Sequence, residues 1–68
     1  MKKIKIEQLL PLLKSGWVAM DEDGDWLWFS KKPKIGNHEW LWEGFVRFLD
    51  MCKLKKAKDW KDSLRRVK

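Results

Sequence analysis

The sequence predicts a single small α+β domain that spans residues 1–68. It consists of an N-terminal helix, an antiparallel meander sheet of three or four strands, and a short C-terminal helix. Two observations lead to this prediction. The stretch from Trp17 to Trp42 holds five of the six tryptophans and contains a hairpin signal, and segments with helical spacing lie on both sides of it.

The N-terminal helix is predicted to run from about Ile6 to Lys14. Its apolar side chains have the i, i+3, i+4, i+7 spacing of one helical face and are Ile6, Leu9, Leu10 and Leu13. Gly16 follows as a suitable C-terminal stop. Pro11 removes a backbone donor, but it lies near the first turn, where this costs less. We expect the leucines to cover the sheet face that carries Leu27 and Phe29.

The hairpin signal is the acidic, glycine-containing segment 21–25 between two apolar runs. In a three-residue loop with Gly24 at positive φ, Met20 lies opposite Trp26. Side chains alternate between the two faces of a strand, so the continuous apolar runs 17–20 and 26–29 make both faces of the hairpin apolar. One face holds Val18, Met20, Trp26 and Trp28, and the other holds Trp17, Ala19, Leu27 and Phe29. A two-residue turn would shift the register and mix these sets, so we favour the longer loop.

Two further strands are predicted after the hairpin. The lysine-rich segment 31–34 is expected to be a loop, because Pro33 cannot donate to a ladder, and a turn at 36–37 precedes a third strand over 38–42. In-register pairing would align Trp26, Trp28, Trp40 and Trp42 in one aromatic ladder. The segment 43–54 fits both helical and strand spacing. We favour a strand there because it contains Phe and Val and because Gly44 is a natural bend.

The C-terminal helix is predicted to begin at Asp59. This residue is a suitable N-cap, and Asp62 three residues later has the position of a capping-box partner. Trp60, Leu64 and Val67 would then share one helical face that docks on the sheet.

Three of these stretches together resemble small uncharacterised proteins encoded by phages, prophages and other mobile elements. They are the helix that ends at 14–16, the strand and turn 17–24, and the closing segment 59–64; the ranges 14–24 and 59–64 make up 17 of the 68 positions. None is a catalytic motif, and the segment 31–54 matches no family. The resemblance implies a bacterial or host-cell cytoplasmic setting and carries no activity with it.

The composition restricts how such a fold is stabilised. Cys52 is the single cysteine and His38 the single histidine, so neither an internal disulfide nor a metal site is expected. A domain this small then depends on aromatic burial or self-association. No signal peptide is visible and no apolar run approaches the ~20 residues of a membrane span, so we expect a cytoplasmic protein without membrane contact.

No constellation for catalysis or cofactor binding is found. His38 has no nucleophile or orienting carboxylate assigned to it and is expected to be exposed. Cys52 lies among apolar residues, as a buried structural thiol does. The aspartates of 21–25 resemble the start of a calcium loop, but Trp26 and Lys32 stand where its glycine and bidentate glutamate are required. The sequence therefore predicts neither an enzyme nor a bound cofactor or metal.

The predicted function is that of a non-catalytic binding module. Two short helices cannot cover both faces of the sheet, so part of the tryptophan surface should stay exposed as an interface. A protein partner or a second copy of the chain would bind there through desolvated tryptophans, with lysines at the rim guiding an acidic partner. The predicted contact residues are Trp26, Trp28, Trp40, Trp42, Lys31, Lys32 and Lys34.

The uneven charge supports an alternative, a nucleic-acid-binding module. The net charge is +6, and residues 45–68 hold nine Lys or Arg against three Asp. Basic side chains there could follow a phosphate backbone while an exposed tryptophan stacks on bases. The residues predicted for this role are Lys55, Lys56, Lys58, Lys61, Arg65 and Arg66. Interleaved aspartates and the excess of Lys over Arg favour a solvated charged face instead.

Overall fold

The computed structural model describes residues 3–49 and 54–68. Its helical elements in this part of the chain are α1 (Ile6–Leu9) and the 3₁₀ turns Leu10–Leu12 and Trp60–Asp62. The strands are β1 (Gly16–Met20), β2 (Trp26–Phe29), β3 (Lys34–Ile35), β4 (Trp40–Leu41), β5 (Val46–Phe48) and β6 (Arg65–Val67). The predicted mixture of helix and antiparallel sheet is confirmed, with strand as the larger part.

The N-terminal helix is shorter than predicted because Pro11 interrupts it. α1 begins after Lys5, whose backbone N–H donates to the side chain of Gln8 at 2.9 Å. Pro11 has no N–H with which to continue the α-helical ladder. The chain therefore tightens into a 3₁₀ turn, in which the Leu13 N–H donates to the Leu10 carbonyl at 3.1 Å.

The central hairpin has the predicted register. Its cross-strand pairs are Trp17 with Phe29, Val18 with Trp28, Ala19 with Leu27 and Met20 with Trp26. The Asp21 N–H donates to the Asp25 carbonyl at 2.9 Å, and Gly24 has a φ of 95°. The three-residue loop and the positive φ at Gly24 are therefore confirmed.

The hairpin lies at the centre of a four-stranded antiparallel sheet with the order β5-β2-β1-β6. The strand interpretation of 43–54 is confirmed at Val46–Phe48, whereas the expected burial of Cys52 falls outside the described residues.

The predicted C-terminal helix is only partly matched, because its helical part is limited to the 3₁₀ turn Trp60–Asp62. Asp59 does act as a cap, since its side chain accepts the Lys61 N–H at 3.0 Å, but it caps only a 3₁₀ turn. The chain then enters β6, which pairs with β1 and places Val67 opposite Gly16. The backbone N–H and C=O groups of β1 that point away from β2 need hydrogen-bond partners, and β6 supplies them. The helical spacing within 59–68 gives no indication of this requirement.

The predicted third strand does not join the four-stranded sheet. β4 pairs with β3 in a separate two-stranded sheet, and β5 occupies the place beside β2. Trp40 holds β4 against the hairpin, because its backbone N–H donates to Asp21 Oδ1 at 3.1 Å and its indole N–H donates to the Met20 carbonyl at 3.0 Å. The predicted ladder of four tryptophans is therefore wrong.

Apolar clusters lie on both faces of the four-stranded sheet. The first cluster contains the buried residues Ile6, Leu9, Val18, Met20, Trp26, Leu54 and Val67. The second contains Ala19, Leu27, Phe29 and Trp40. α1 thus covers the face that carries Trp26, and its expected position on the Leu27 and Phe29 face is wrong. Trp40 already fills that opposite face.

Candidate binding surface

Trp26 and Trp40, two of the predicted contact residues, are core residues. They are 5% and 6% exposed. Each indole N–H is also satisfied inside the protein, by the Lys55 carbonyl for Trp26 and by the Met20 carbonyl for Trp40, both at 3.0 Å. Neither side chain presents a surface to a partner.

Trp28 and Trp42 have surface to offer, but they are carried by different elements. Trp42, directly after β4, is 48% exposed. Trp28, in β2, is half-buried against the first cluster, and its indole N–H donates to the Lys14 carbonyl at 3.0 Å. The structure thus does not bring the four predicted tryptophans together in one patch.

The predicted rim lysines are all exposed: Lys31, Lys32 and Lys34. Lys34 lies opposite Leu41 in the two-stranded sheet, and the alkyl chain of Lys31 lies beside Gly44. Lys34 therefore lies beside the strand that precedes Trp42, and Lys31 lies near Gly44.

A groove of about 170 Å³ lies on the face of the sheet that carries Trp28. We call it the Trp28 groove, and its described lining residues are Leu12, Leu13, Lys14, Trp28, Arg47 and Leu49. Arg47 lies opposite Trp28 in the pairing of β5 with β2. The lining is mainly apolar, and Lys14 and Arg47 supply positive charge without a carboxylate among these six residues. Such a groove suits an apolar side chain with a negative charge nearby.

Aromatic side chains flank β5 on both faces of the sheet. Phe45, directly before the strand, is 79% exposed, and Phe48 within it is 65% exposed. Phe48 lies opposite Leu27 and points to the face of the second cluster. Phe45 is two positions from Arg47, so it lies on the same face as Arg47. This is the opposite face of the sheet, which carries Trp28.

β5 is an edge strand, and part of its backbone points away from the sheet. The Leu49 N–H donates to the Trp26 carbonyl at 3.0 Å. Hydrogen-bonded pairs alternate along antiparallel strands, so Arg47 also bonds inward and the N–H and C=O groups of Val46 and Phe48 point outward. We call these outward groups the free edge. Within residues 3–49 and 54–68, no backbone hydrogen bond satisfies them.

Sequence reasoning missed Phe45, Arg47 and Phe48 as surface residues. The sequence does contain one indication of this surface. Arg47 alternates with apolar residues in a strand, and this pattern indicates that one face of the strand is polar. The sequence does not show that β5 is an edge, because that depends on which strand pairs with β2.

The basic residues predicted for nucleic-acid binding are all exposed: Lys55, Lys56, Lys58, Lys61, Arg65 and Arg66. Several of them contact other groups of the protein. Arg65 donates to two backbone carbonyls of the preceding turn at 2.9 and 3.0 Å. Lys61 lies over the Trp60 ring and Arg66 over the Trp17 ring, each 6.0 Å from the ring centroid. Cations and aromatic rings thus meet at two places in this region.

The turn of the central hairpin is the acidic end of the molecule. Here His38 Nδ1 lies 3.0 Å from Glu22 Oε2, a carboxylate partner that sequence reasoning did not identify. Burial raises the pKa of Asp21 and neighbouring carboxylates add to this, while the hydrogen bond from the Trp40 N–H acts in the opposite direction. Among the described residues, no three His, Cys, Asp or Glu side chains are grouped to hold a metal ion.

Within the described ranges, no helix has both the length and the apolar character needed to cross a membrane. No protein-family model matches the chain, and comparisons with curated proteins and with solved structures find no match either.

Proposed function

We propose that this protein is a non-catalytic binding module that engages a protein partner through an exposed aromatic surface with a basic rim. We call this the β5 surface, and it comprises Phe45, Phe48 and the Trp28 groove. The absence of a catalytic motif from the sequence supports a non-catalytic role. A phage or mobile-element origin and a cytoplasmic setting stay predictions from the sequence resemblance.

The exposure of Phe45 and Phe48 is the observation that carries the proposal. They are 79% and 65% exposed, although most apolar side chains of comparable size in the hairpin are buried. Burying such a side chain contributes about 1.5–3 kcal/mol, which folding of the monomer leaves unused at these positions. Phe45 lies on the face of the Trp28 groove and Phe48 on the opposite face, so the two side chains meet a partner along the edge of β5. Large exposed apolar side chains of this kind are typical of an interaction site.

The charge of the β5 surface indicates an acidic partner. Lys14 and Arg47 line the Trp28 groove, and the chain as a whole carries +6. Positive charge around an apolar contact accelerates encounter with a negative partner and disfavours basic ones. The apolar contact would retain most of its affinity at high salt, because its energy comes from desolvated side chains.

Nucleic-acid binding is a second candidate, and the contact between Arg66 and Trp17 favours it. The guanidinium lies 6.0 Å from the ring centroid, and Trp17 is partly exposed. A cation next to an accessible indole is the combination that single-stranded nucleic acids bind by stacking and phosphate contact. Affinity of this kind would fall steeply with salt.

Affinity capture from a bacterial lysate with matched variants tests the proposal. The baits are the wild type, Phe45→Ser, Phe48→Ser and Leu41→Ser. Leu41 is the control because it is also exposed, at 54%, but belongs to β4. A protein that is lost with either phenylalanine variant and retained with Leu41→Ser, in nuclease-treated lysate and at high salt, supports the proposal.

Two outcomes contradict it. Partners that bind the phenylalanine variants as well as the wild type would remove the β5 surface from the interface. Material that disappears with nuclease and with Arg66→Ala, but not with the phenylalanine variants, would favour the nucleic-acid candidate.

A further inference from the structure

We infer that the partner supplies an extended acidic segment that adds to the four-stranded sheet as a new strand along β5. The inference rests on the proposed function, since it states how the β5 surface recognises its partner. The backbone of the segment would bond to the outward N–H and C=O groups of Val46 and Phe48. A carboxylate of the segment would lie beside Arg47.

The two edges of the sheet differ in how open they are to a new strand. At the β6 edge, Arg65 and Val67 bond inward to β1, so Arg66 alone among the β6 residues points its backbone outward. Charged side chains on an edge strand discourage pairing, and β6 carries two, Arg65 and Arg66, whereas β5 carries one, Arg47. At the β5 edge two residues, Val46 and Phe48, point outward, so this edge offers two complete sets of backbone donors and acceptors for strand addition.

Arg47 determines which charge the added segment carries. In an antiparallel addition, the residue opposite Arg47 belongs to a non-hydrogen-bonded pair with Cα atoms about 4.5 Å apart. Its side chain lies on the face of the Trp28 groove, where Lys14 is also present. An Asp or Glu at this position forms a favourable cross-strand pair, whereas a Lys or Arg there is destabilising.

The same argument disfavours a second copy of this chain as the occupant. The symmetric antiparallel pairing that uses both outward residues of each β5 strand joins Val46 of one copy to Phe48 of the other. This arrangement places the two Arg47 side chains directly opposite each other in the closest type of cross-strand pair. Like charges at that separation are unfavourable, so the strand edge selects a foreign, acidic segment.

The Trp28 groove adds a side-chain requirement. Residues two positions apart in the added strand point to the same face of the sheet. A residue two positions from the carboxylate, towards the Leu49 end of β5, therefore points to the face on which Leu12, Leu13 and Leu49 line the groove. An aliphatic side chain at that position suits this apolar lining.

Titration with two peptides, followed by amide NMR, tests the inference. Each peptide has about seven residues, the length of a typical strand, in which threonine and valine alternate from a first threonine so that valine lies two positions from the centre. The central residue is Glu in one peptide and Lys in the other. Binding of the Glu peptide should protect the Val46 and Phe48 amides from solvent exchange. It should also be about five-fold tighter than binding of the Lys peptide, as expected for exchanging a favourable charge pair for a repulsive one.

The Arg47→Glu variant is the matched control, because reversing the charge of this exposed residue should reverse the preference between the peptides. Its melting temperature establishes that it is folded. The inference is overturned if neither peptide shifts the Val46 and Phe48 amides at about 1 mM, or if Arg47→Glu leaves the preference unchanged. It is also overturned if the free protein is a dimer with both amides already protected.

The partner identified by affinity capture separates this inference from the proposed function. A partner that depends on Phe45 and Phe48, but does not protect the Val46 and Phe48 amides when bound, leaves the proposed function in place and overturns strand addition. A partner that does not depend on the phenylalanines overturns the proposed function itself.

Discussion

The backbone N–H of Met20 donates to Ser63 Oγ at 2.8 Å, although the two residues are 43 positions apart. Ser63 is fully buried, and its hydroxyl group can donate to the carbonyl oxygen of Met20 or to that of Trp60. Met20 ends β1, while β6 begins only at Arg65. The Ser63 side chain therefore satisfies the backbone of the central strand at the point that β6 does not reach.

Replacing Ser63 by alanine should lower the free energy of unfolding by about 1–3 kcal/mol, because it leaves the buried N–H of Met20 without a partner. Ser30→Ala is the control, since the Ser30 hydroxyl accepts the Phe45 N–H at 2.9 Å in a solvent-exposed bond. Water can replace that bond, so its loss should cost less. Urea denaturation measures both, and equal effects would contradict the role assigned to Ser63.

Gly24→Val should destabilise the hairpin by about 1–3 kcal/mol, because a β-branched residue does not tolerate positive φ. The φ of Gly24 is 95°. Asp23→Ala removes one side-chain bond to the Asp25 N–H, at 3.1 Å, and should cost less. Thermal melts of the two variants provide the comparison. A Gly24→Val protein as stable as Asp23→Ala would rule out the assigned turn conformation.

Trp60→Ala should lower the free energy of unfolding by about 3 kcal/mol, a large share of the stability of so small a domain. The Trp60 ring meets Trp40 edge-on at a centroid distance of 6.3 Å and packs against both apolar clusters. Trp42→Ala, at an exposed indole, should cost much less. Comparable denaturation midpoints for the two variants would show that Trp60 is not a structural residue.

Asp21→Asn should stabilise the protein at neutral pH. The pKa of Asp21 is raised above 3.8, first by burial, so its ionised form is less favourable in the folded chain than in the unfolded chain. This cost is present above the folded pKa and is relieved as the pH falls towards 3.8. An asparagine oxygen can still accept the Trp40 N–H. Chemical denaturation at several pH values should show an advantage of Asp21→Asn that disappears on acidification. A difference independent of pH would contradict the prediction.

The hairpin could be predicted from the sequence because its determinants are local. An acidic turn with a glycine and two apolar runs determine the pairing of Met20 with Trp26, and every neighbouring pair follows from that one. The apolar character of both hairpin faces is equally local. The preference for a strand around Val46 rests on the strand-favouring Phe and Val residues and on the bend expected at Gly44.

The elements that were mispredicted depend on contacts between distant segments. The residues 65–67 form a strand because β1 offers unpaired backbone groups, and spacing within the segment carries no sign of this. The strand that contains Trp40 does not lie beside β2 as expected, because the side chain and backbone of Trp40 bond to Met20 and Asp21. Once β4 lies over the hairpin, β5 becomes the neighbour of β2. The free edge and the Trp28 groove arise from that rearrangement, so sequence reasoning placed the contact surface on other residues.

Amide hydrogen exchange along β5 of the free monomer tests the central claim most directly. The N–H groups of Arg47 and Leu49 bond inward to β2 and should exchange slowly, whereas those of Val46 and Phe48 should exchange fast. Binding of the partner should slow the exchange of Val46 and Phe48 and leave that of Arg47 and Leu49 nearly unchanged. Slow exchange at all four amides in the free monomer would mean that the edge of β5 is already covered, and this result would contradict the account.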